Sequence, residues 1–362
     1  MARITSVGLC IPPYRITQGT TVQFVKELFR DSFDDIDRLL KVFENGQIKE
    51  RYFTVPLEWF GQEHTFEEKN QIFMENAVDF GVKAIIDCLE NTKYMESKVS
   101  YEEIDAIYYI SSSGLATPSI DAKIMNHLPF QKHCKRVPIW GLGCAGGASG
   151  LSRAFEYCKA FPRAKVLVLC IELCSLTFQK GDHSKSNLIG SSLFADGVAC
   201  ALVCGDKVDS PKKTLDKPMP LIEATQSTIM SDSEKVMGWD IRNEGFFVIF
   251  SKDIPTIVHT WVRPHIEEFL AKHNLQIGDI QHFVAHPGGK KVLDAYANSL
   301  QLPFEKINIP LEVLMNYGNM SAATIFFVLK EFIENDSSKG DRGLAAAVGP
   351  GFSSELLLLR WE

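Results

Sequence analysis

The chain has 362 residues, 45% of them apolar and 23% charged, with a formal net charge of −7. Such a length accommodates two domains, or two halves sharing one large core, in an ordinary globular composition. The acidic balance and the lack of a long basic run argue against nucleic acid as a partner. No apolar stretch reaches membrane-spanning length. The N-terminus Met1-Ala2-Arg3-Ile4-Thr5-Ser6-Val7-Gly8 lacks the apolar core of a signal peptide, so cytoplasmic residence is expected.

Apolar spacing predicts a strand over 4–8 and a helix over 21–42, interrupted near Asp31-Ser32. A helix over 72–89, a strand over 106–110 and a helical segment over 120–128 follow. Lys135-Arg136-Val137-Pro138-Ile139 reads as a short strand. It runs into the small-residue turn Trp140-Gly141-Leu142-Gly143-Cys144-Ala145-Gly146-Gly147-Ala148-Ser149-Gly150, and 151–158 reads as helix. Strands are predicted over 165–172 and 197–204. The Lys-, Asp- and Pro-rich stretch 206–220 reads as a linker, dividing the chain into an N-terminal half, 1–210, and a C-terminal half, 211–362. Beyond it come a helix over 254–270, a strand over 282–285 ending in His286-Pro287-Gly288-Gly289, and a helix over 290–300. A turn over 315–323 then leads into a helix over 324–333, and strands over 343–348 and 355–361 close the chain. Strand–helix alternation predicts mainly parallel sheets.

The two halves can be superposed as sequences. Glu103-Ile104-Asp105-Ala106-Ile107-Tyr108 parallels Asp279-Ile280-Gln281-His282-Phe283-Val284, with Ile104 and Ile280 176 positions apart. Cys144 and Asn319, each in a turn before a helix, are 175 apart. Two independent units at nearly one offset indicate an internal duplication. A pseudo-two-fold axis would bring the equivalent turns together beyond the ends of their strands, with His286 beside them.

Nine cysteines in a long chain without an export signal argue against a disulfide framework. The Cys170/Cys174 and Cys200/Cys204 spacings invite a metal. However, both pairs lie in apolar strand-like runs, where cysteine behaves as a small hydrophobe, and no metal is expected. Cys144 differs, because a strand, turn and helix place it at a helix N-terminus. Unpaired N–H groups and the helix dipole there favour an anion and would lower the thiol pKa. His286 could hold the thiolate as an ion pair. His286 and Asn319 together could donate to a thioester carbonyl. That set suits acyl transfer to sulfur and the stabilisation of an enolate formed when a malonyl thioester loses CO2. Taken singly, His286 could be a buried strand-end histidine and Asn319 a helix N-cap.

Four segments carry a family resemblance: Trp140 to Gly147, Ala285-His286-Pro287-Gly288-Gly289, Tyr317-Gly318-Asn319-Met320-Ser321 and Val348-Gly349-Pro350-Gly351-Phe352. In order and spacing they resemble the motifs of type III polyketide synthases, the chalcone-synthase-like enzymes, over nearly the whole chain. The resemblance is nearest to bacterial alkylpyrone synthase-like members. It implies an α/β thiolase-like fold, two duplicated α/β halves forming a layered α/β/α/β/α core. It further implies a homodimer acting on acyl-CoA and malonyl-CoA without cofactor or metal. Cys144 would accept the acyl group, while His286 and Asn319 would hold the thioester carbonyl and drive decarboxylation. Phe194 matches a gatekeeper phenylalanine, and Ser321 and Gly288 fall within motifs that line the substrate and CoA sites. Arg38 and Lys41 align with basic residues that meet CoA phosphates. The third basic position holds Asn45, for which Lys290 and Lys291 could compensate.

Thr117 stands where plant chalcone synthases have a methionine reaching into the partner's cavity, and Val248 stands near a second gatekeeper phenylalanine. These changes point to an aliphatic pocket for a long acyl chain, extended iteratively and closed to an alkylpyrone or related ring. An initiating ketoacyl-carrier-protein synthase uses the same three residues, but His286-Pro287-Gly288-Gly289 lacks its Gln-Ala-Asn continuation. A cysteine hydrolase of acyl thioesters is the alternative from another class.

Overall fold

In the computed structural model, which describes residues 1–30, 35–209, 217–335 and 337–362, the N-terminal half opens with β1 (Ala2–Cys10), β2 (Tyr14–Thr17), α1 (Gln18–Leu28), α2 (Ile36–Asn45) and β3 (Glu50–Phe53). It continues through α3 (Phe66–Leu89), β4 (Ala106–Ser111), α4 (Ile120–Ile124), β5 (Lys135–Trp140), α5 (Gly146–Ala160), β6 (Lys165–Leu173), α6 (Lys185–Leu193) and β7 (Asp196–Gly205). The C-terminal half holds β8 (Pro220–Ile229), β9 (Met237–Arg242), β10 (Gly245–Phe250), α7 (Ile254–Ile257), α8 (Arg263–Lys272), β11 (His282–Ala285) and α9 (Lys290–Leu300). It ends with α10 (Asn308–Tyr317), α11 (Thr324–Asn335), β12 (Arg342–Gly349) and β13 (Ser353–Trp361).

Local sequence explains the boundaries. The Thr65 side chain accepts from the Glu68 N–H and Glu68 accepts from the Thr65 N–H, a capping box that starts α3 six residues before the apolar periodicity shows it. Every residue of β7, and all of β6 after Lys165, is buried, which is why these two strands read as continuous apolar runs. The helix expected over 254–270 is present but passes through a π-helical stretch, Val258–Val262, between α7 and α8. Met315, Asn316 and Tyr317 belong to α10 rather than to the expected turn. The expected break near Asp31-Ser32 and the division at 210/211 lie outside the described residues.

The main sheet runs β11-β12-β13-β8-β1-β7-β6-β4-β5. The expectation of mainly parallel strands is overturned. Only β4–β5, β4–β6 and β11–β12 are parallel, and the other five neighbouring pairs are antiparallel. The reason is that β12 returns to β13 through a short turn, and β6 returns to β7 through α6, without crossing over. The duplication itself is plain. In one half β6 is parallel to β4 and antiparallel to β7, which is antiparallel to β1. In the other, β12 is parallel to β11 and antiparallel to β13, which is antiparallel to β8. The first residues of β4 and β11 are 176 apart, and those of β6 and β12 are 177 apart. The half-sheets join through only Ala2↔Ile222 and Arg3↔Leu221 of β1 and β8.

Helices α5 and α11 form the middle layer. α5 packs on β4, β6 and β7 of its own half and on β8, β12 and β13 of the other, while α11 packs on β11, β1 and β7. α3 covers the outer side of β1, β6 and β7. Beyond the C-terminal half-sheet, Tyr296 of α9 meets Phe283 of β11 at 5.3 Å, and Phe269 of α8 joins the same apolar cluster. The result is the layered α/β/α/β/α arrangement.

The first turns of α5 and α11 touch where the halves meet. A Cβ at Gly147 would lie 2.2 Å from the Ala322 carbonyl oxygen and 2.8 Å from Ile325 Cγ2. Gly147→Ala must therefore part the two helices. We expect a destabilisation of about 2–3 kcal/mol from overpacking, seen in denaturant unfolding. Wild-type stability would show that the contact is dispensable.

Candidate active site

The strand β5 delivers Cys144 into a 3-10 turn, Gly143–Ala145, immediately before α5. Gly143 has φ +47, and a Cβ there would lie 2.8 Å from Pro350 Cδ, so the turn demands glycine. Asn319 sits in the equivalent turn of the other half. Its backbone N–H donates to the Leu193 carbonyl at 2.9 Å, and its carbonyl accepts from the Ala195 N–H at 2.9 Å. These bonds tie Asn319 to Phe194, the residue between them. The Ser321 N–H donates to Asn319 Oδ1 at 2.8 Å, fixing which way the amide points. Asn319 Nδ2 donates to the Gly288 carbonyl at 3.1 Å and lies 3.9 Å from Cys144 Sγ. His286 follows β11 and donates its backbone N–H to the Ala346 carbonyl at 2.8 Å. A Cβ at Gly288 would lie 3.8 Å from His286 Nε2, so the imidazole edge faces the turn that Asn319 holds. The structure thus brings Cys144, Asn319, Gly288 and His286 into one chain of contacts.

Burial dominates the electrostatics. His286 is 2% exposed, and neither ring nitrogen has a hydrogen-bond partner. Burial pulls its pKa down to about 3. Burial pushes the Cys144 thiol up to about 12; hydrogen bonds from Ser321 and Asn319 oppose it, and the field of Glu172 adds to it. The thiolate–imidazolium pair expected from the helix dipole is therefore not the form this site favours. Desolvation of the buried sulfur outweighs the bonds that favour the thiolate. Burial disfavours the charged form of each group taken singly, and among the described residues both imidazole nitrogens lack a partner. An incoming acyl thioester would find a nucleophile, a base for its proton, and amide N–H donors for its carbonyl.

Sequence reasoning missed Glu172. It is the penultimate residue of β6, fully buried, and accepts from the Ser112 N–H at 3.1 Å, Ser112 Oγ at 3.0 Å and Ser113 Oγ at 2.7 Å. Burial raises its pKa to about 7, against these bonds and one from Ser321. The Ser321 hydroxyl thus serves both Glu172 and Cys144. Ser321 holds φ +47, a strained conformation for a non-glycine residue. The available signal was a lone acid near the C-terminal end of a strand that is otherwise apolar after Lys165.

A cavity of about 330 Å³ surrounds Cys144, lined by Ser112, Phe194, Met237, Trp239, Val248, Ile249, Phe250 and Ser321 among others. Phe194 and Val248 also line a second cavity of about 550 Å³, whose walls include Phe24, Val25, Phe53, Leu57, Phe60, Cys174 and Phe178. The expectation of a mainly aliphatic pocket needs correction, because Trp239 and Phe250 lie 5.7 and 6.4 Å from Phe194. These aromatics come from 221–253, where the apolar pattern predicts no element and the structure has β8, β9 and β10.

The remaining expected residues lie apart. Thr117 is exposed and lines neither cavity. Arg38 and Lys41 are exposed on α2, as is Asn45. Lys290 is engaged by Asp294 at 2.6 Å, which weakens its claim to a phosphate, and Lys291 is exposed. Cys170 and Cys200 are buried within β6 and β7. Among the described residues no helix is long and apolar enough to cross a membrane.

Glu172 gives a pH test. A carboxyl whose pKa is raised on folding supports stability while protonated and loses that support as pH rises from about 4.5 to about 7. Glu172→Gln should therefore gain on the wild type by about 3 kcal/mol between pH 5 and pH 8 in denaturant unfolding. A difference independent of pH would contradict this electrostatic assignment.

Comparison with known proteins places the chain in a family. The family model for the chalcone and stilbene synthase N-terminal domain matches residues 1–207, and the C-terminal domain model matches residues 221–361. A Bacillus subtilis (strain 168) protein provisionally named chalcone synthase is 52% identical, with 100% of this chain and 99% of that protein covered. A 1,3,6,8-tetrahydroxynaphthalene synthase of Streptomyces peucetius subsp. caesius is 31% identical, with 99% of this chain and 93% of that protein covered. The crystal structure of the Streptomyces coelicolor A3(2) 1,3,6,8-tetrahydroxynaphthalene synthase superposes with a TM-score of 0.89 at 25% identity, covering 99% of each chain. With both halves matched and a thiol, an imidazole and an amide gathered between them, the chain belongs to the chalcone and stilbene synthase family and is a type III polyketide synthase, a decarboxylating condensing enzyme acting on CoA thioesters.

Proposed function

We propose that this enzyme takes a long-chain fatty acyl-CoA starter, extends it with malonyl-CoA and closes the product to an alkylpyrone or related ring. The observation that carries the reading is the apolar cavity of about 550 Å³ beside the Cys144 cavity, across the shared residues Phe194 and Val248. An acyl chain attached to Cys144 would extend past them into walls of phenylalanine, leucine and valine. Each buried methylene contributes about 0.8 kcal/mol, so such a cavity selects for length. A polyketide synthase-like protein of Mycobacterium tuberculosis (strain CDC 1551 / Oshkosh) named for alpha-pyrone synthesis is 28% identical over 366 residues, which supports the pyrone. Other relatives are named as tetrahydroxynaphthalene and phloroglucinol synthases, so the scaffold alone does not select the product.

In this reading the Cys144 sulfur attacks the starter carbonyl, His286 takes the thiol proton, and CoA leaves. Malonyl-CoA then binds with its thioester oxygen between His286 and Asn319. CO2 departs, the enolate is held by those two donors, and its carbon attacks the acyl carbonyl on Cys144; the acyl–sulfur bond breaks, the Cys144 thiolate leaves, and the extended chain, now a CoA thioester, can be transferred back to that sulfur with release of CoA. Arg38 and Lys41, exposed on α2, meet the CoA phosphates, and Gly288 holds Asn319 through its carbonyl at 3.1 Å. Thr117, exposed alongside Leu115 and Trp140, serves the neighbouring subunit of a homodimer. The nine cysteines, all described as free thiols, suit a reducing cytoplasm.

A starter panel with malonyl-CoA, read by product mass spectrometry, tests the proposal. Acyl-CoAs of 12–18 carbons should exceed a six-carbon starter in kcat/KM at least about tenfold, given the methylene increment. Ser191→Phe, which fills the larger cavity from its half-buried α6 position, should shift the optimum to shorter chains. Preference for an aromatic starter such as p-coumaroyl-CoA would refute the reading.

A further inference from the structure

The hairpin of β9 and β10 is not part of the main sheet. Its two strands pair only with each other, from Gly245↔Arg242 to Phe250↔Met237. Yet it supplies Met237, Trp239, Val248, Ile249 and Phe250 to the cavity around Cys144. A two-stranded ribbon is marginal on its own, so its position depends on tethers to the rest of the molecule.

The tethers at its turn converge on one buried cation. Lys69, 7% exposed on α3, donates from Nζ to Gln179 Oε1 at 2.7 Å, to the Phe178 carbonyl at 3.0 Å and to the Glu244 carbonyl at 3.3 Å. Every ammonium proton thus has an acceptor, on three different residues. Gln179, 4% exposed, in turn donates from Nε2 to the Phe246 carbonyl at 3.2 Å. The approach is close, since a Cβ at Gly245 would lie 2.9 Å from Gln179 Nε2. Phe246 adds a ring contact to Phe66 at 5.2 Å, one turn before Lys69 on the same helix. Val248 and Phe250 follow Phe246 at two-residue steps and share its face of the strand. The clamp therefore sits at the turn end of the strand face that lines the reaction cavity. Burying an ammonium is costly unless it is fully bonded, so a simple packing role would be served better by an apolar residue.

We propose that Lys69 and Gln179 are positioning residues that hold the β9–β10 hairpin against the Cys144 cavity and thereby set how many times the chain is extended. This rests on the assignment of that cavity as the place where the polyketide grows. With the clamp intact, Trp239, Val248 and Phe250 leave a fixed space for the growing chain. With it released, the hairpin withdraws, the space enlarges, and further malonyl units are added before ring closure.

The test uses Lys69→Met, which keeps the stem and removes the donors, with Lys69→Arg as the conservative variant. Gln179→Met, which removes the Phe246 tether and one of the three Lys69 acceptors while leaving Lys69 bonded to the Phe178 and Glu244 carbonyls, is read alongside and decides alone if Lys69→Met does not fold. Product mass spectrometry with the starter that the wild type uses best should show the ratio of longer to shorter polyketides rising at least about threefold, with the starter kcat/KM within about twofold of wild type. Lys69→Arg should restore most of the wild-type ratio. Hydrogen exchange over 237–250 should accelerate in the Met variants and not elsewhere. A folded Met variant with the wild-type product ratio, or with unchanged exchange in the hairpin, overturns the clamp. The exchange arm is independent of substrate, so failure of the starter assignment is distinguished from failure of the clamp.

Discussion

Exclusion of water from a sulfur and an imidazole is the constraint on which the rest of this structure depends. Burial holds Cys144 as a thiol, with its pKa near 12, and His286 as a neutral ring, with its pKa near 3. Neither group can ionise cheaply alone. In the proposed reaction an arriving acyl thioester would let the thiol pass its proton to the imidazole, with Asn319, 3.9 Å from the sulfur, as a donor to the carbonyl. The site thus stores its reactivity until substrate completes it. His286 has no partner on either nitrogen for the same reason.

That enclosure is built from the duplication. The turns before α5 and α11 occupy equivalent places in the two halves and contribute Cys144 and Asn319. Small residues at Gly146, Gly147 and Ala322 let the helix starts touch. Asn319 is also sewn by its backbone to Leu193 and Ala195, which fixes its place relative to Phe194 between them. Arg51, 1% exposed, donates to the Phe194 carbonyl at 2.7 Å from the other side.

Much of this was legible in the sequence, for identifiable reasons. Cys144 and Asn319 lie in turns whose glycines, Gly143, Gly147 and Gly318, are dictated by close approach, and His286 stands before a Gly-Gly pair; such turns leave dense local signals. The duplication showed because strand, turn and helix recur at one offset. What stayed hidden depends on partners distant in the chain. The antiparallel majority of the sheet follows from which strands return without crossing over, and strand–helix alternation does not reveal that. Residues 221–253 alternate weakly, since β8 and β9 are half exposed, and the aromatic wall of Trp239 and Phe250 went unseen with them. The raised thiol pKa also escaped, because a helix N-terminus is visible in sequence whereas the depth of burial is not. Glu172 was overlooked in an apolar strand where only its charge distinguished it.

Relatives of this chain are named after quite different products, tetrahydroxynaphthalene, phloroglucinol and an alpha-pyrone. In this chain the walls of the Cys144 cavity come from both halves and from a hairpin that belongs to neither sheet. The central claim is that Cys144 is the atom that carries the acyl chain. Incubation with a fatty acyl-CoA in the absence of malonyl-CoA, followed by peptide mass spectrometry, tests it most directly. The account predicts one acyl adduct, located on Cys144; an adduct on another residue, or release of CoA with no adduct at all, would contradict it.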